Sequence, residues 1–338
     1  MKSKHLLMAV SLLVVLAMLV GCAAPATPVP AATTSEQQPA AEPAAATAAK
    51  PFIPVISKGF QHQFWQAVKQ GAEQAAAEYN VDITFEGPAT EAEVDRQIEM
   101  LQAALARNPQ AICFAALDSQ AAIPLLEEAQ AKGIPVVGFD SGVDSDIPVA
   151  TASTDNIAAA ALAADKMAEL IGGSGKVAVL VHDQTSRTGI DRRDGFVQRI
   201  EAAYPDIEIV NVDYGGGDHL RSTEIAKAVM QANPDLKGYF GANEGSIIGV
   251  INAVNELGTA GQLVVIGYDA GQLQKDAVRS GAVAGSITQN PVGIGYECVK
   301  AAYMAIQGQP VAKVIDTGFF WYDASNMDEE QFIPLLYD

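Results

Sequence analysis

The amino-acid sequence alternates short apolar runs with longer segments whose apolar residues recur at helical spacing. Short apolar runs predict strands buried on both faces, and their alternation with helices is typical of a parallel sheet. The pattern predicts strands at residues 51–57, 81–85, 111–115, 134–140, 148–153, 176–181, 207–212, 237–240, 263–268 and 282–287. It predicts one helix beginning near Phe64 and others at 91–107, 120–132, 156–171, 192–204, 219–231, 246–257, 272–280 and 292–307. Residues 314–338 are expected to form short strands and turns.

Two of the predicted strands end in nearly the same way. Residues 134–142 (IPVVGFDSG) and 263–271 (LVVIGYDAG) lie about 130 residues apart, and each ends with Gly, an aromatic residue, Asp and a small residue. This repetition predicts two α/β lobes, each built on a doubly wound parallel sheet. Ligands bind beyond the carboxyl ends of strands in such sheets, so Asp140 and Asp269 are expected to face a site between the lobes. Either aspartate alone could equally cap the next helix or turn.

The first 50 residues differ from the rest of the chain. Lys2 and Lys4 precede an apolar stretch at 6–20, which is short for a membrane span and ends in LVGC at 19–22. This tetrapeptide resembles the lipobox of bacterial lipoproteins and predicts a signal peptide at 1–21, a lipid on Cys22 and an exported, membrane-anchored protein. An ordinary secretory signal or a buried helix is the alternative. Residues 22–50, rich in Ala and Pro, predict a disordered tether.

The composition of the chain limits the classes of binding partner and bears on whether its cysteines are free or paired. The chain has 338 residues, enough for two domains, and its net charge of -19 argues against nucleic acid or an anionic membrane surface as a partner. Cys113 lies in a predicted strand and Cys298 in a predicted helix. Both are expected to be buried free thiols, with a disulfide between them as the alternative outside the cytoplasm.

The sequence motifs typical of catalytic sites are incomplete or absent in this chain. Residues 171–177 (IGGSGKV) look like a phosphate loop but lack its spacing, so they predict a helix end and a turn. No nucleophile motif is present, and the acidic loop at 140–146 lacks the pattern of a calcium site. The four histidines are scattered, without zinc-site spacing: His5, His62, His182 and His219. We therefore expect no enzymatic activity, no cofactor and no metal.

Polar residues with planar or charged groups gather at predicted strand ends and helix starts. They are Lys58, Asp140, Arg192, Asn243, Asp269 and Gln289, joined by Phe64 and Trp65 at the start of the first helix. Carboxylates accept from hydroxyl pairs, Arg and Asn donate, and aromatic rings cover C–H faces. The set therefore suits a polyhydroxylated ring. Phe64 and Trp65 could instead be plain core, and Arg192 could be a surface charge.

Several motifs in the same regions resemble a known family. They are QFWQAVKQGAEQAA at 63–76, STDN at 153–156, DRRDGF at 191–196, FGANE at 240–244 and SITQNPVGIGY at 286–296. Across residues 52–322 the chain resembles periplasmic sugar-binding proteins of the ribose-binding type, the solute receptors of ABC importers. The resemblance implies a monomer that captures a monosaccharide or related polyol by hinge closure and delivers it to an ABC permease in the inner membrane.

The resemblance also implies a domain division. The fold would be a type I periplasmic binding protein, with one lobe at 51–154 plus 290–318 and the other at 155–289 plus 319–338. The chain would cross between the lobes near Ser153, Gln289 and Gly318. Phe64 and Trp65 match an aromatic pair that sandwiches the sugar together with a second-lobe aromatic ring. The hydrogen-bonding positions of the family match Asp140, Arg192, Asn243, Asp269 and Gln289.

Four positions depart from the ribose-type pattern. Lys58 stands in place of Ser or Asn, His62 and Ala115 in place of Asn, and Ser141 in place of Arg, which argues against ribose itself. Lys58, residues 86–88 and Asp140–Ser141 resemble autoinducer-2 receptors of the same superfamily, but those receptors have Asp at the position of Arg192. We interpret Lys58 as replacing the lost first-lobe Arg. Two cations then balance Asp140 and Asp269, which favours a neutral ligand. A sensing receptor for autoinducer-2 or a sugar is the alternative function.

Overall fold

The computed structural model describes residues 49–337. The predicted signal peptide, the lipid site at Cys22 and the tether up to residue 48 lie outside the described residues. Within 49–337, no helix is both long and apolar enough to cross a membrane.

Strands and helices alternate along almost the whole described chain. In chain order the strands are β1 (Phe52–Ile56), β2 (Asp82–Glu86), β3 (Ile112–Phe114), β4 (Val136–Phe139), β5 (Ala150–Ser153), β6 (Gly175–Val181), β7 (Ile207–Tyr214), β8 (Leu236–Gly241), β9 (Val264–Tyr268), β10 (Gly285–Gln289), β11 (Val314–Asp316) and β12 (Phe319–Tyr322). The helices are α1 (Gln63–Tyr79), α2 (Val94–Ala106), α3 (Ile123–Ala131), α4 (Asn156–Ile171), α5 (Arg187–Ala203), α6 (His219–Ala232), α7 (Glu244–Leu257), α8 (Gln272–Ser280) and α9 (Pro291–Ile306). A 3₁₀ turn at Ile333–Leu335 lies near the end of the chain.

The strands form two six-stranded sheets. The first has the order β11-β5-β4-β3-β1-β2 and is parallel throughout, and the second has the order β12-β10-β9-β8-β6-β7. In the second sheet only β12 runs antiparallel, against β10. The predicted fold class, two α/β lobes on parallel sheets, is confirmed. We call the first sheet with α1, α2, α3 and α9 the first lobe, and the second sheet with α4–α8 the second lobe.

Helices cover both faces of each sheet, as the continuous apolar strands require. In the first sheet, alternate side chains such as Cys113 and Phe114 point to opposite faces. The face of Cys113 packs against α1 and α9, and that of Phe114 against α2 and α3. In the second sheet α4 and α5 cover one face and α6 and α7 the other.

Helix α9 follows the last parallel strand of the second sheet but packs in the first lobe, against α1. Two glycines allow this close contact. A Cβ atom at Gly71 would lie 1.9 Å from the carbonyl oxygen of Val292, and one at Gly295 would lie 1.9 Å from that of Val68. The chain then adds β11 to the first sheet and β12 to the second, turning at Gly318 with φ of 80°.

Cys113 on β3 and Cys298 on α9 are joined by a disulfide, with Cα atoms 6.3 Å apart. The expectation of two free thiols is therefore wrong. The two cysteines lie 185 residues apart in the chain. They meet because α9 returns to the first sheet and places Cys298 over the buried strand that carries Cys113.

Several element boundaries differ from the predicted ones for local reasons. Helix α5 begins at residue 187 rather than 192, because the Ser186 hydroxyl oxygen accepts the backbone N–H of Gly189 and starts the helix earlier. Helix α2 begins at residue 94 rather than 91, because Thr90 donates to the Glu93 carboxylate and holds a turn. The predicted helix end within residues 171–177 is confirmed at Gly172, which has φ of 78°.

The disulfide predicts a thiol count and a stability loss. A segment of residues 50–338, purified without reductant and then denatured, should show no reactive thiol, and two after reduction. Replacing both Cys113 and Cys298 with Ala should lower the free energy of unfolding by about 2–5 kcal/mol, because the unfolded chain loses a long-range constraint. Urea unfolding checks the second value. Two thiols before reduction would contradict the pairing.

Candidate functional site

A small cavity lies where the carboxyl ends of the two sheets meet. It is lined by Lys58, His62, Phe64, Trp65, Glu91, Asp140, His182, Thr188, Arg192, Asn243, Asp269 and Gln289. All eight residues singled out from the sequence are among them. Strand ends of both sheets supply half of these residues, as expected for open parallel sheets, and helix starts supply most of the others.

Asp140 and Asp269 occupy matching positions, directly after β4 and β9. Their φ angles are 54° and 81°, in the left-handed region that Asp tolerates better than most residues. The Asp269 carboxylate accepts the backbone N–H of Glu244 at 2.8 Å and the side-chain amide of Gln289 at 2.7 Å. Asp269 is therefore held rigidly from its own lobe.

The carboxylate of Asp140 is the freer acceptor. Among residues 49–337 it has no hydrogen-bond partner, although the residue is only 5% exposed. Burial raises the pKa of Asp140 to about 6, against the opposing effect of the Lys58 and Arg192 cations. A ligand hydroxyl that donates to this carboxylate would supply the partner that it otherwise lacks.

Arg192 is buried, so the alternative of a surface charge is wrong. It lies on the second turn of α5, where its Nε donates to the Asn156 side chain at 2.8 Å and one terminal nitrogen donates to the carbonyl of Ala242 at 3.0 Å. The guanidinium carbon stacks 3.8 Å from the centre of the Tyr268 ring. These contacts fix the plane of the guanidinium at the cavity wall.

Asn243 and Gln289 also combine structural and cavity-facing roles. The side-chain oxygen of Asn243 caps α7 by accepting the backbone N–H of Ser246 at 2.8 Å, which leaves its amide group as a donor. Gln289 donates to Asp269 and accepts the Thr154 hydroxyl at 2.8 Å. Thr154 directly follows β5, so Gln289 ties together two of the segments that connect the lobes.

Lys58 reaches across the cleft. Its ammonium group donates to the Thr188 hydroxyl of the second lobe at 3.0 Å, and that hydroxyl lies 3.1 Å from Nε2 of His182. Burial lowers the pKa of His182 to about 3, and the Lys58 cation adds to this effect, so His182 is neutral at pH 7. The predicted first-lobe cation is therefore in the cavity and contacts the opposite lobe.

His62 and Glu91 form a buried ion pair beside the cavity. Nδ1 of His62 lies 3.3 Å from the Glu91 carboxylate, and Nε2 lies 3.0 Å from the carbonyl oxygen of Gly217 in the second lobe. Burial by itself lowers the pKa of His62, but the charge and hydrogen bond of Glu91 outweigh burial and raise it to about 9. Burial likewise opposes ionisation of Glu91, but His62 and Lys58 hold its pKa well below the usual value.

The two aromatic residues form the first-lobe wall. Phe64 and Trp65 meet edge to face with ring centres 5.0 Å apart, and the indole N–H of Trp65 donates to Glu91 at 2.8 Å. Both side chains line the cavity and also belong to the buried hydrophobic core of the first lobe. The second-lobe aromatic ring implied by the resemblance is not among the lining residues. Within the described chain, the second-lobe wall consists of polar side chains.

Four lining residues were missed as site residues. His182 directly follows β6, so the rule that placed Asp140 at a strand end could have found it. Thr188 lies in the first turn of α5, whose start was predicted too late. His62 had been noted only as a departure from the ribose-type pattern. No sequence pattern marked Glu91 as a site residue, because it lies in a turn. Its carboxylate contacts the side chains of Trp65 and His62 at the cavity.

The cavity contains one more cation and one more carboxylate than the two of each that the sequence predicted. Lys58, His62 and Arg192 supply three cations, and Glu91, Asp140 and Asp269 supply three carboxylates. A net charge near zero suits a neutral ligand. Among residues 49–337, no group of three or more acidic, His or Cys side chains is arranged to hold a metal ion.

Comparison with known proteins places the chain in a family. A model of the periplasmic binding protein domain matches residues 53–310. The chain belongs to the periplasmic binding protein family. The α/β architecture with two parallel sheets is accordingly the type I periplasmic binding protein fold. The sequence-based resemblance to this family is confirmed.

Relatives of this periplasmic binding protein are named as sugar-binding proteins. The D-allose-binding periplasmic protein of Escherichia coli K12 is 27% identical over 77% of this chain and 85% of its own length. The D-ribose/D-allose-binding protein of Pseudomonas aeruginosa is 26% identical over 78% of this chain and 85% of its own length. These relatives are binding proteins, which confirms that the family is not one of enzymes.

Solved structures show the same fold. A solute-binding protein of an ABC transporter from Agrobacterium vitis, with bound D-fucose, is 34% identical with a TM-score of 0.82 over 85% of this chain and 100% of its own. A carbohydrate-transporter solute-binding protein from Agrobacterium radiobacter, in complex with D-arabinose, is 30% identical with a TM-score of 0.83 over 86% and 100%.

The His62–Glu91 pair predicts a pH dependence of stability. The pKa of His62 rises from about 6.5 in the unfolded chain to about 9 in the folded protein. The contribution of His62 to the free energy of unfolding is fully present below pH 6.5 and is lost as the pH rises through 9. Relative to His62→Asn, the wild-type free energy of unfolding should fall by up to about 1.4 kcal/mol per pH unit across this interval.

Urea unfolding of both proteins from pH 6 to 10 measures this difference. Subtracting the variant cancels the titration of lysines and tyrosines elsewhere in the chain. Parallel pH profiles for the two proteins would contradict a charged His62 in the folded state.

Proposed function

We propose that this protein is the lipid-anchored substrate-binding component of an ABC sugar importer. It captures a monosaccharide or related polyol between its lobes by hinge closure and delivers it to a permease in the inner membrane. The observation that carries the proposal is the cavity itself. Eight residues expected from the sequence converge there from both lobes, and they combine a pair of aromatic rings with planar hydrogen-bonding groups.

The chemistry of the cavity supports a neutral polyhydroxylated ligand. Asp140 offers a carboxylate without a partner, Asn243 offers an amide donor, and Phe64 and Trp65 offer apolar surface. A site of this kind discriminates strongly, because a ligand that lacks the right hydroxyl leaves a buried polar group unpaired. The sugars D-allose, D-fucose and D-arabinose, named for the relatives above, are neutral monosaccharides and fit this description.

Closure is supported by hydrogen bonds that join the lobes directly. The backbone N–H of Ser119 donates to the carbonyl oxygen of Thr185 at 2.9 Å, and Lys58 donates to Thr188. We assign the moving lobes to residues 51–154 plus 290–318 and 155–289 plus 319–338. A ligand that contacts both lobes only when they are closed shifts the population toward the closed form.

The location in the cell envelope rests on two observations. The leader ends in LVGC at residues 19–22, which suits lipid attachment at Cys22 followed by a tether to the folded body. The disulfide between Cys113 and Cys298 suits a compartment more oxidising than the cytoplasm. We expect the protein to act as a monomer that docks on its permease in the closed form.

A sensing role is the second candidate. Lys58, part of the pattern shared with autoinducer-2 receptors, lies at the cavity and contacts the second lobe. Arg192 stands where those receptors have Asp, so only part of that pattern is present. Including autoinducer-2 in the ligand screen tests the ligand, and a pull-down of the docking partner separates a permease from a membrane sensor.

A ligand screen tests the proposed function. The probes are D-allose, D-ribose, D-fucose, D-arabinose, xylitol and autoinducer-2, measured by thermal unfolding of residues 50–338. A probe at about a hundred times its Kd should stabilise the protein by about 2.7 kcal/mol. Asp269→Asn, which tolerates the positive φ, should abolish this shift, whereas Asp235→Ala at the opposite end of the second sheet should keep it. The sugar assignment would be wrong if no probe moved the transition of the folded protein.

Asp140 predicts the pH dependence of binding. Its pKa is about 6 in the closed protein, and hydroxyl donors need the ionised carboxylate. The Kd should be constant above about pH 7 and should rise by up to about tenfold per pH unit below pH 6. In Asp140→Asn, binding should be weaker and this rise should disappear. Calorimetric titration at pH 5, 6, 7 and 8 measures both proteins, and a flat wild-type profile would count against direct contact between Asp140 and the sugar.

A further inference from the structure

The first turn of helix α1 is capped from the other lobe. A helix begins with backbone N–H groups that have no partner inside the helix. The N-cap residue of α1, His62, makes no side-chain capping bond. Instead the N–H groups of Gln63 and Phe64 donate to the two carboxylate oxygens of Glu244, at 3.0 and 3.1 Å.

Glu244 is well placed to act as this cap. It is the first residue of α7 in the second lobe and is only 3% exposed. Its carboxylate therefore lies at the N-termini of both α1 and α7, and the dipoles of both helices favour a negative charge there. Its backbone N–H donates to Asp269, a residue of the cavity wall, at 2.8 Å. One residue thus contacts the binding site and the opposite lobe.

A second bond holds the same turn of α1. The side-chain oxygen of Gln63 accepts the backbone N–H of Gln272, the first residue of α8, at 2.7 Å. The start of α1 is therefore bonded to the starts of two second-lobe helices. Each of these bonds joins groups on different lobes, so each requires the lobes to be closed.

The capped turn also carries the aromatic wall. Phe64 and Trp65 are the second and third residues of α1, and both line the cavity. A cap that fixes the start of α1 therefore fixes the rings against which a sugar would stack. When the lobes separate, the N–H groups and the Glu244 carboxylate form hydrogen bonds with water instead of with each other.

We propose that Glu244 is a positioning residue that clasps α1 across the cleft. The clasp sets the balance between open and closed forms and holds the aromatic wall in its binding position. This inference rests on the proposed function, because it concerns closure of the same cleft. Since the clasp exists only in the closed form, its loss should speed the release of a bound sugar and leave the rate of association nearly unchanged.

The first experiment measures the kinetics of D-allose binding by stopped flow. Helix caps typically contribute 0.5–2 kcal/mol, so Glu244→Ala should raise the dissociation rate by about 2- to 30-fold. Glu244→Gln keeps one oxygen acceptor at the same length, so its rate should lie between those of wild type and Glu244→Ala. The matched control is Glu256→Gln on the same helix, where Glu256 pairs with Lys227 at the surface. Its dissociation rate should equal that of wild type.

The second experiment needs no ligand. Spin labels at Gln70→Cys in the first lobe and Glu224→Cys in the second, both exposed sites, report the distance between lobes by double electron–electron resonance. The ratio of closed to open molecules should fall about 2- to 30-fold in Glu244→Ala and less in Glu244→Gln. The Glu256→Gln control should leave it unchanged.

The two experiments separate the clasp from the choice of ligand. Failure of D-allose to bind would count against that sugar, and the distance measurement would still decide the clasp. The proposal would be overturned if Glu244→Ala kept the wild-type distance distribution, or if D-allose bound and dissociated at the wild-type rate. A folded variant with altered dissociation and unaltered association is a result that a general loss of stability does not produce.

Discussion

Buried charge is the constraint on which the cleft depends. Six charged side chains, three cationic and three acidic, line one small cavity. Taking a charge out of water costs several kcal/mol unless a partner of opposite charge or a hydrogen bond replaces the lost solvation. His62 meets this requirement through Glu91, and Arg192 through Asn156 and the backbone of Ala242. Asp140 is left with a carboxylate that a ligand can satisfy.

Many of the hydrogen bonds that satisfy these buried polar and charged groups join the two lobes. The burial of these groups therefore depends on the relative position of the lobes. Lys58 donates to Thr188, His62 to the carbonyl of Gly217, and the first turn of α1 to Glu244. Each bond joins a first-lobe group to a second-lobe group, so opening the cleft returns all of them to water. Exposed polar groups can be solvated at little cost, so in the proposed hinge motion we expect the open and closed forms to lie close in free energy. A ligand can then decide between them through the contacts that it adds.

The strand and helix pattern predicted the fold, because buried parallel strands and their covering helices leave a strong local signal. It also predicted the strand-end residues Asp140, Asn243 and Asp269, since the carboxyl ends of parallel strands lie at one edge of the sheet. Helix starts were less predictable. A hydroxyl cap at Ser186 and a turn at Thr90 make two helices begin at residues other than those predicted. Because the start of α5 was predicted too late, Thr188 was not recognised as a site residue.

The sequence by itself determined the two-lobe α/β architecture, the family resemblance and the eight residues expected around the cavity, because each depends on the local order of residue types. Only the tertiary structure decided which groups meet across the lobes. Glu91 and His62 lie close in the chain, but Gly217, Glu244 and Thr188 lie far from the first-lobe groups that they contact. The disulfide between Cys113 and Cys298 joins residues 185 apart. Such pairings depend on how the lobes and returning helices pack, and no local pattern of residues encodes that distance.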